Sequence, residues 1–158
     1  MEDLVELIRR VHLSGAEFVL IGGLAAVKYG SLYGTIDAEI CARFIPENLR
    51  RIGKALEGLD PRFRQRRDLP FELSDERLAG LKNLYVHTNI GDLDCLGEVA
   101  GLGDYDEVLR ASVLVEFPFG NCRVLSLDGL IRAKESLARP KDLLVATELR
   151  AIREKLNS

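Results

Sequence analysis

A mixed β-sheet covered by helices, α/β or α+β in class and ending in helices, is the fold that the hydrophobic pattern predicts. Three observations carry it. Helical and strand periods alternate through the first third of the chain. Two short alternating strands joined by a tight turn follow near residue 90, and from Asp128 onward the pattern is helical. At 158 residues the chain is read as one domain, 1–158, with a core over about 16–126 and C-terminal helices over about 127–156. A chain of this length buries roughly 70% of its unfolded surface and needs no disulfide staples.

The elements follow in order. In EDLVELIRRVHLSG, Leu4, Leu7, Ile8 and Val11 stand at helical spacing, with Gly15 as a stop. EFVLIGG is a short apolar strand ending in two glycines, and LAAVKYG a helical segment capped by Gly30. Ile36 to Ala42 is the second strand. PENLRRIGKALEGL is a helix with Pro46 in its first turn and Leu49, Ile52 and Leu56 on one face. DPRFRQRRDLPFEL reads as a basic loop, and SDERLAGL as a short helix with Ser74 as N-cap. Leu84 to Thr88 and Asp92 to Leu96 form a hairpin about Asn89 to Gly91. A second extended pair surrounds Gly120-Asn121, and two helices follow, the last with Pro140 near its start.

Composition narrows the function. A net charge of −3 and a pI near 5.5 give no support for purely electrostatic binding of nucleic acid. Cys41, Cys95 and Cys122 are odd in number and make no C-x-x-C, which reads as reduced thiols in a cytoplasmic protein. The acidic, amphipathic N-terminus is unlike a signal peptide, and no apolar run is long enough to span a membrane. His12 and His87 stand apart from any Cys/His cluster, against a zinc site.

The chemistry lies in three places. Ile21-Gly22-Gly23 ends a strand and opens a helix, so backbone N–H groups there can approach an anion; Gly-Gly after a strand is more often just a tight turn. In GTIDAEICA, Asp37 and Glu39 point to one face of the second strand, with Ile36, Ala38 and Ile40 on the other. At ~4–5 Å and an effective dielectric near 20, two such charges repel by roughly 3–4 kcal/mol. Either solvent screens them, or a hard cation such as Mg²⁺ sits between them. In GDLDCLG, Asp94 alternates in the same way, and converging with Asp37 and Glu39 it would complete a frame for two-metal phosphoryl chemistry. Asp92 is read as a turn residue at the strand entrance.

These residues together resemble the polymerase-beta-type nucleotidyltransferase superfamily. Gly22-Gly23 is followed after 13 residues by Asp37-x-Glu39, and later by Asp94 between apolar neighbours. More narrowly, VLIGGLAAVKYGSLYGTIDAEI, GDLDCLGEV and KESLARPKD look like the small minimal nucleotidyltransferases and their abortive-infection toxin-like branch, over roughly residues 16 to 150. The resemblance implies a nucleotidyltransferase-type sheet and transfer of an NMP from an NTP. It implies two Mg²⁺ ions on Asp37, Glu39 and Asp94, and nucleotide phosphates at Gly22, Gly23, Lys134 and Lys141. Thr35, Arg139 and Asp142 become accessory positions, Asp142 orienting a lysine or helping to deprotonate the acceptor. Read without the family pattern, the late motif is a charged helix surface with pairs such as Glu135–Arg139.

Two positions depart from the pattern. Gly23 stands where many relatives carry Ser, and Tyr33 where many carry Arg. Two functions therefore stay open: an active enzyme, or a catalytically weak or inactive nucleotide- or partner-binding module of a toxin–antitoxin pair. The acceptor would be RNA, a protein or a small molecule. Arg62, Arg64, Arg66 and Arg67 form either an RNA-backbone contact or a solvated loop.

Overall fold

The computed structural model describes residues 1–158. In chain order the elements are α1 (Glu2–Leu13), β1 (Phe18–Ile21), α2 (Gly22–Lys28), β2 (Asp37–Ala42), α3 (Pro46–Ala55), β3 (Arg62–Phe63), α4 (Asp75–Leu78), β4 (Asn83–Thr88), β5 (Gly91–Leu96), β6 (Glu98–Val99), β7 (Gly103–Asp104), α5 (Tyr105–Arg110), β8 (Ser112–Phe117), β9 (Gly120–Leu125), α6 (Leu127–Leu137) and α7 (Pro140–Leu156). Seven strands form one mixed sheet in the order β3-β4-β5-β2-β1-β9-β8, and β6 and β7 pair separately. The β2–β5 and β1–β9 pairs are parallel; the other pairs in the large sheet are antiparallel.

Alternation sorts the side chains between two layers. Leu20, Ile40 and Leu93 point to the side covered by α1 and α3, where they meet Leu7, Ile8, Leu49 and Ile52 in a buried cluster. On the opposite side α6 and α7 pack together over the sheet through Leu130, Ile131, Val145 and Leu149. The α1 and α3 stripes are amphipathic for this reason: one face meets the sheet and the other meets water. No helix is long and apolar enough to cross a membrane.

Several sequence expectations need correction. Gly22 and Gly23 are the first turn of α2, not a turn before it. Ile36 is 91% exposed and lies outside β2, so it does not join Ala38 and Ile40 on the buried face. The basic stretch after Asp60 contains β3, an edge strand paired with β4. The last hairpin turns at Pro118-Phe119, and Gly120 already begins β9. The β6–β7 pair and α5, capped by the Asp104 side chain on Glu107 N–H, lie in a stretch where Gly101 and Gly103 masked any period. The three cysteines are free and buried. Burial pushes the Cys41 thiol up to about 12 and Cys122 up to about 11, so neither supplies a thiolate at neutral pH.

Candidate active site

The acids are brought together by strand register. β2 and β5 run parallel, with Asp37 opposite Asp92 and Glu39 opposite Asp94. Neighbouring strands lie about 4.8 Å apart, so four carboxylates share one face at one end of the sheet. Asp92 is therefore a full member of the face, correcting its reading as a turn residue. The charges feel one another. Burial pushes the Glu39 carboxyl up, Lys134 opposes that, and Asp94 and Asp37 add to it. Burial likewise raises Asp94, and Arg64 opposes it.

β1 runs antiparallel to β2, so its end at Ile21 lies opposite Glu39. There the chain enters α2 through Gly22 at φ +70°, where an added Cβ would press on the Glu39 carboxylate and stand 3.1 Å from Glu39 Cβ. At Gly23 a Cβ would stand 2.7 Å from Thr35 Cβ and 2.9 Å from its Oγ1. The space a serine would need is thus filled by the Thr35 side chain, whose hydroxyl donates to the Asp37 carbonyl at 3.0 Å. Tyr33 lines the same cleft. Its loop is pinned to α7 by Ser31 Oγ and Leu32 N–H donating to the Glu148 carboxylate at 2.5 and 2.8 Å.

The late cations approach from the helical side. Asp142, buried, accepts from the Arg139 backbone N–H at 3.3 Å and from Arg139 Nε at 2.6 Å, with Lys134 Nζ at 3.6 Å. The Arg139 hydrogen bond holds the Asp142 carboxyl below the usual range. Ala138 in the left-handed region (φ 54°) ends α6 and reverses the chain, so the first turn of α7 returns to Lys134. Asp142 thus orients both cations, and Glu135 pairs with Arg150 rather than Arg139. Lys141 is exposed at the rim.

The structure adds residues that sequence reasoning missed. Arg64, just past β3, reaches across β4 to the Asp94 carboxylate and puts Nε 3.3 Å from Asp92. Its guanidinium lies over the Tyr85 ring, 5.3 Å from the centroid. His87 Nδ1 lies 2.7 Å from Asp92 Oδ1. Register alone connects these: Tyr85 lies opposite Asp94 and His87 opposite Asp92. The hairpin, once aligned, would have revealed Tyr85 and His87, but nothing local marks Arg64 among four arginines. Two of the others are also engaged, Arg62 with Asp60 at 3.1 Å and Arg66 with Asp68 at 3.0 Å, which removes most of the basic loop's free charge.

The result is a cleft of about 510 Å³ holding Asp37, Glu39, Asp94, Lys134, Arg139 and Lys141. An adjoining, more apolar cavity of about 270 Å³ shares Glu39, Asp94, Lys134 and Arg139, and is walled by Ile21, Tyr85 and Leu130 among others. Such a size suits a small ligand with a few polar anchors. The donor set is oxygen only, which suits a hard divalent cation. As the side chains stand, no three His, Cys, Asp or Glu are grouped to hold a metal ion; Asp94, the third acid, is engaged by Arg64. What fits such an ion is the donor chemistry, carboxylate oxygens of Asp37, Glu39 and Asp94 on adjacent strands in register.

No family model matches the chain, and no curated protein is significantly similar to it in sequence. Among solved structures, a candidate nucleotidyltransferase from Thermotoga maritima aligns with a TM-score of 0.57 and 16% identity, over 97% of this chain and 92% of that one. At that identity the likeness is one of fold. The seven-stranded mixed sheet with its helical C-terminus is a nucleotidyltransferase-type fold.

Proposed function

We propose that the chain is a Mg²⁺-dependent nucleotidyltransferase, of the small minimal type, that moves an NMP from an NTP to an acceptor. One observation carries this reading: the in-register pairing of Asp37-x-Glu39 with Asp92-x-Asp94 beside a glycine-started helix. Asp37 and Glu39 would hold both cations, and Asp94 the one nearer the acceptor. Bound there, the ions would offset phosphate charge and make the acceptor hydroxyl easier to deprotonate. The first N–H groups of α2 have no side-chain cap, and Gly22 and Gly23 line the two adjoining cavities. Lys134, steadied by Asp142, offers a point charge to the phosphates, and Arg139 a fork. Thr35 ties the entry of β2 and so steadies Asp37.

The test is transfer from each labelled NTP with Mg²⁺ across RNA, protein and small-molecule acceptors. Asp37→Ala is expected to lose on the order of 10²-fold or more, as removal of a group that stabilises transition-state charge does. Undiminished transfer by that variant rejects the assignment.

A second reading is favoured by the Arg64–Asp94 pair: a module that binds a nucleotide or a protein partner, as in a toxin–antitoxin pair, without turnover. Calorimetry separates the two. Nucleotide binding with no pyrophosphate release on any acceptor selects the module; measurable release excludes it.

A further inference from the structure

We infer that Arg64 is a positioning residue of the acid cluster. Its guanidinium is the cluster's own counter-cation, held on Asp94 and Asp92 until a divalent cation takes its place. This rests on the metal-dependent reading above.

The charges divide by side. Asp37, Glu39, Asp92 and Asp94 crowd one face of two adjacent strands. Lys134 and Arg139 approach Glu39 from the helical side, where both favour its charged form. On the β4 side, Asp92 meets His87, and Arg64 is the cation paired with Asp94. The pair is partly buried, with the Arg64 and Asp94 side chains 26% and 17% exposed.

The backbone aims this side chain. Arg64 N–H donates to the Tyr85 carbonyl at 3.0 Å, extending the β3–β4 pairing by one residue. Tyr85 is the register partner of Asp94. The guanidinium is therefore delivered across the Tyr85 ring to that one carboxylate.

The pairing is also incomplete. Arg64 Nε is buried and 3.3 Å from Asp92, yet it is not aligned for a hydrogen bond and has no partner. A buried donor left unmade costs free energy, so the contact is one that a better-satisfied arrangement can displace. A hard cation competes for the Asp94 oxygens by adding charge where the acids repel one another. Guanidinium and cation then compete for one carboxylate. Metal binding without nucleotide is weakened by the competition, and Asp94 is kept in place meanwhile.

The experiment uses the full chain and Mn²⁺ alone, with free Mn²⁺ read by electron paramagnetic resonance. Wild type, Arg64→Gln, Arg64→Lys and the double variant Arg64→Gln/Asp37→Ala are compared. Arg64→Gln is expected to bind Mn²⁺ on the order of tenfold more tightly than wild type, the ratio that loss of one competing charge-assisted hydrogen bond predicts. Arg64→Lys should fall between them, because lysine cannot fork. The double variant should lose binding, which locates the ion. A merely structural arginine predicts the reverse, since its removal would loosen the site. Melting in chelator and in saturating Mn²⁺ provides a second readout, with Arg64→Gln gaining more from the ion than wild type even if it is poorly folded without it. Equal or weaker Mn²⁺ binding by Arg64→Gln overturns the exchange and leaves the enzyme reading standing. Absence of Mn²⁺ binding in every variant, with NTP present as well, overturns the metal-dependent reading itself.

Discussion

Gly22→Ala and Gly15→Ala form a matched pair that isolates the contact on which the cleft depends. Both glycines have positive φ, +70° and +78°. Each alanine therefore incurs the left-handed backbone cost of about 1–2 kcal/mol. Their surroundings differ. Nothing lies within 4 Å of a Cβ at Gly15, whereas at Gly22 the Cβ meets the Glu39 carboxylate and sits 3.1 Å from Glu39 Cβ. Glu39 cannot retreat along the sheet, because β2 is hydrogen-bonded on both sides, to β1 and β5. Its side chain must swing instead. Overpacking of this kind adds about 1–3 kcal/mol. Gly15→Ala should thus lose about 1–2 kcal/mol, and Gly22→Ala about 2–5 kcal/mol. Urea denaturation with a common m-value measures both. Mn²⁺ binding should fall in Gly22→Ala and stay unchanged in Gly15→Ala. Equal losses of stability in the two variants would refute the argument that glycine is required at 22 by Glu39 rather than by backbone conformation alone.

Two further variants probe the neighbours. Gly23→Ser, which restores the commoner family residue, should destabilise by about 1–3 kcal/mol, because its Cβ would stand 2.7 Å from Thr35 Cβ. Thr35→Ala in the same chain should recover much of that loss, a non-additivity read in a double-mutant cycle; simple additivity would show that Thr35 does not fill the serine space. Asp142→Asn should cost about 1–3 kcal/mol at neutral pH by weakening charge-assisted bonds at the start of α7. The folded carboxyl is held below its ordinary value near 3.9, so its stabilisation is present above that value and lost as pH falls through the folded one. The gap between wild type and Asp142→Asn should close in that acid range; a gap constant down to pH 2 would mean the charge is not what holds the turn.

Much of the architecture was legible locally. The α1 and α3 stripes, the apolar β1, the Ser74 cap and the β4–β5 hairpin each depend on residues within a few positions of one another, where periodicity and capping chemistry act. The Asp37-x-Glu39 pair was equally visible, because strand alternation puts i and i+2 on one face wherever the strand is placed. The late cluster about Asp142 was not: read by themselves its residues made a charged helix surface with a Glu135–Arg139 pair, and only the reversal at Ala138 turns Arg139 and Asp142 back to Lys134.

What the chain could not disclose by itself was set by partners distant in sequence. Asp92 joins the acids because β5 adds parallel to β2 across more than fifty residues, and a register shift of one residue would have turned it away. Gly23 is left without a side chain because Thr35 fills that space, a steric fact with no local signature. Arg64 became the counter-ion of Asp94 only when an edge strand of two residues docked beside β4 and aimed it. Local patterns name which side chains bear charge; only the folded sheet, through strand order and register, decides which charges must share a space.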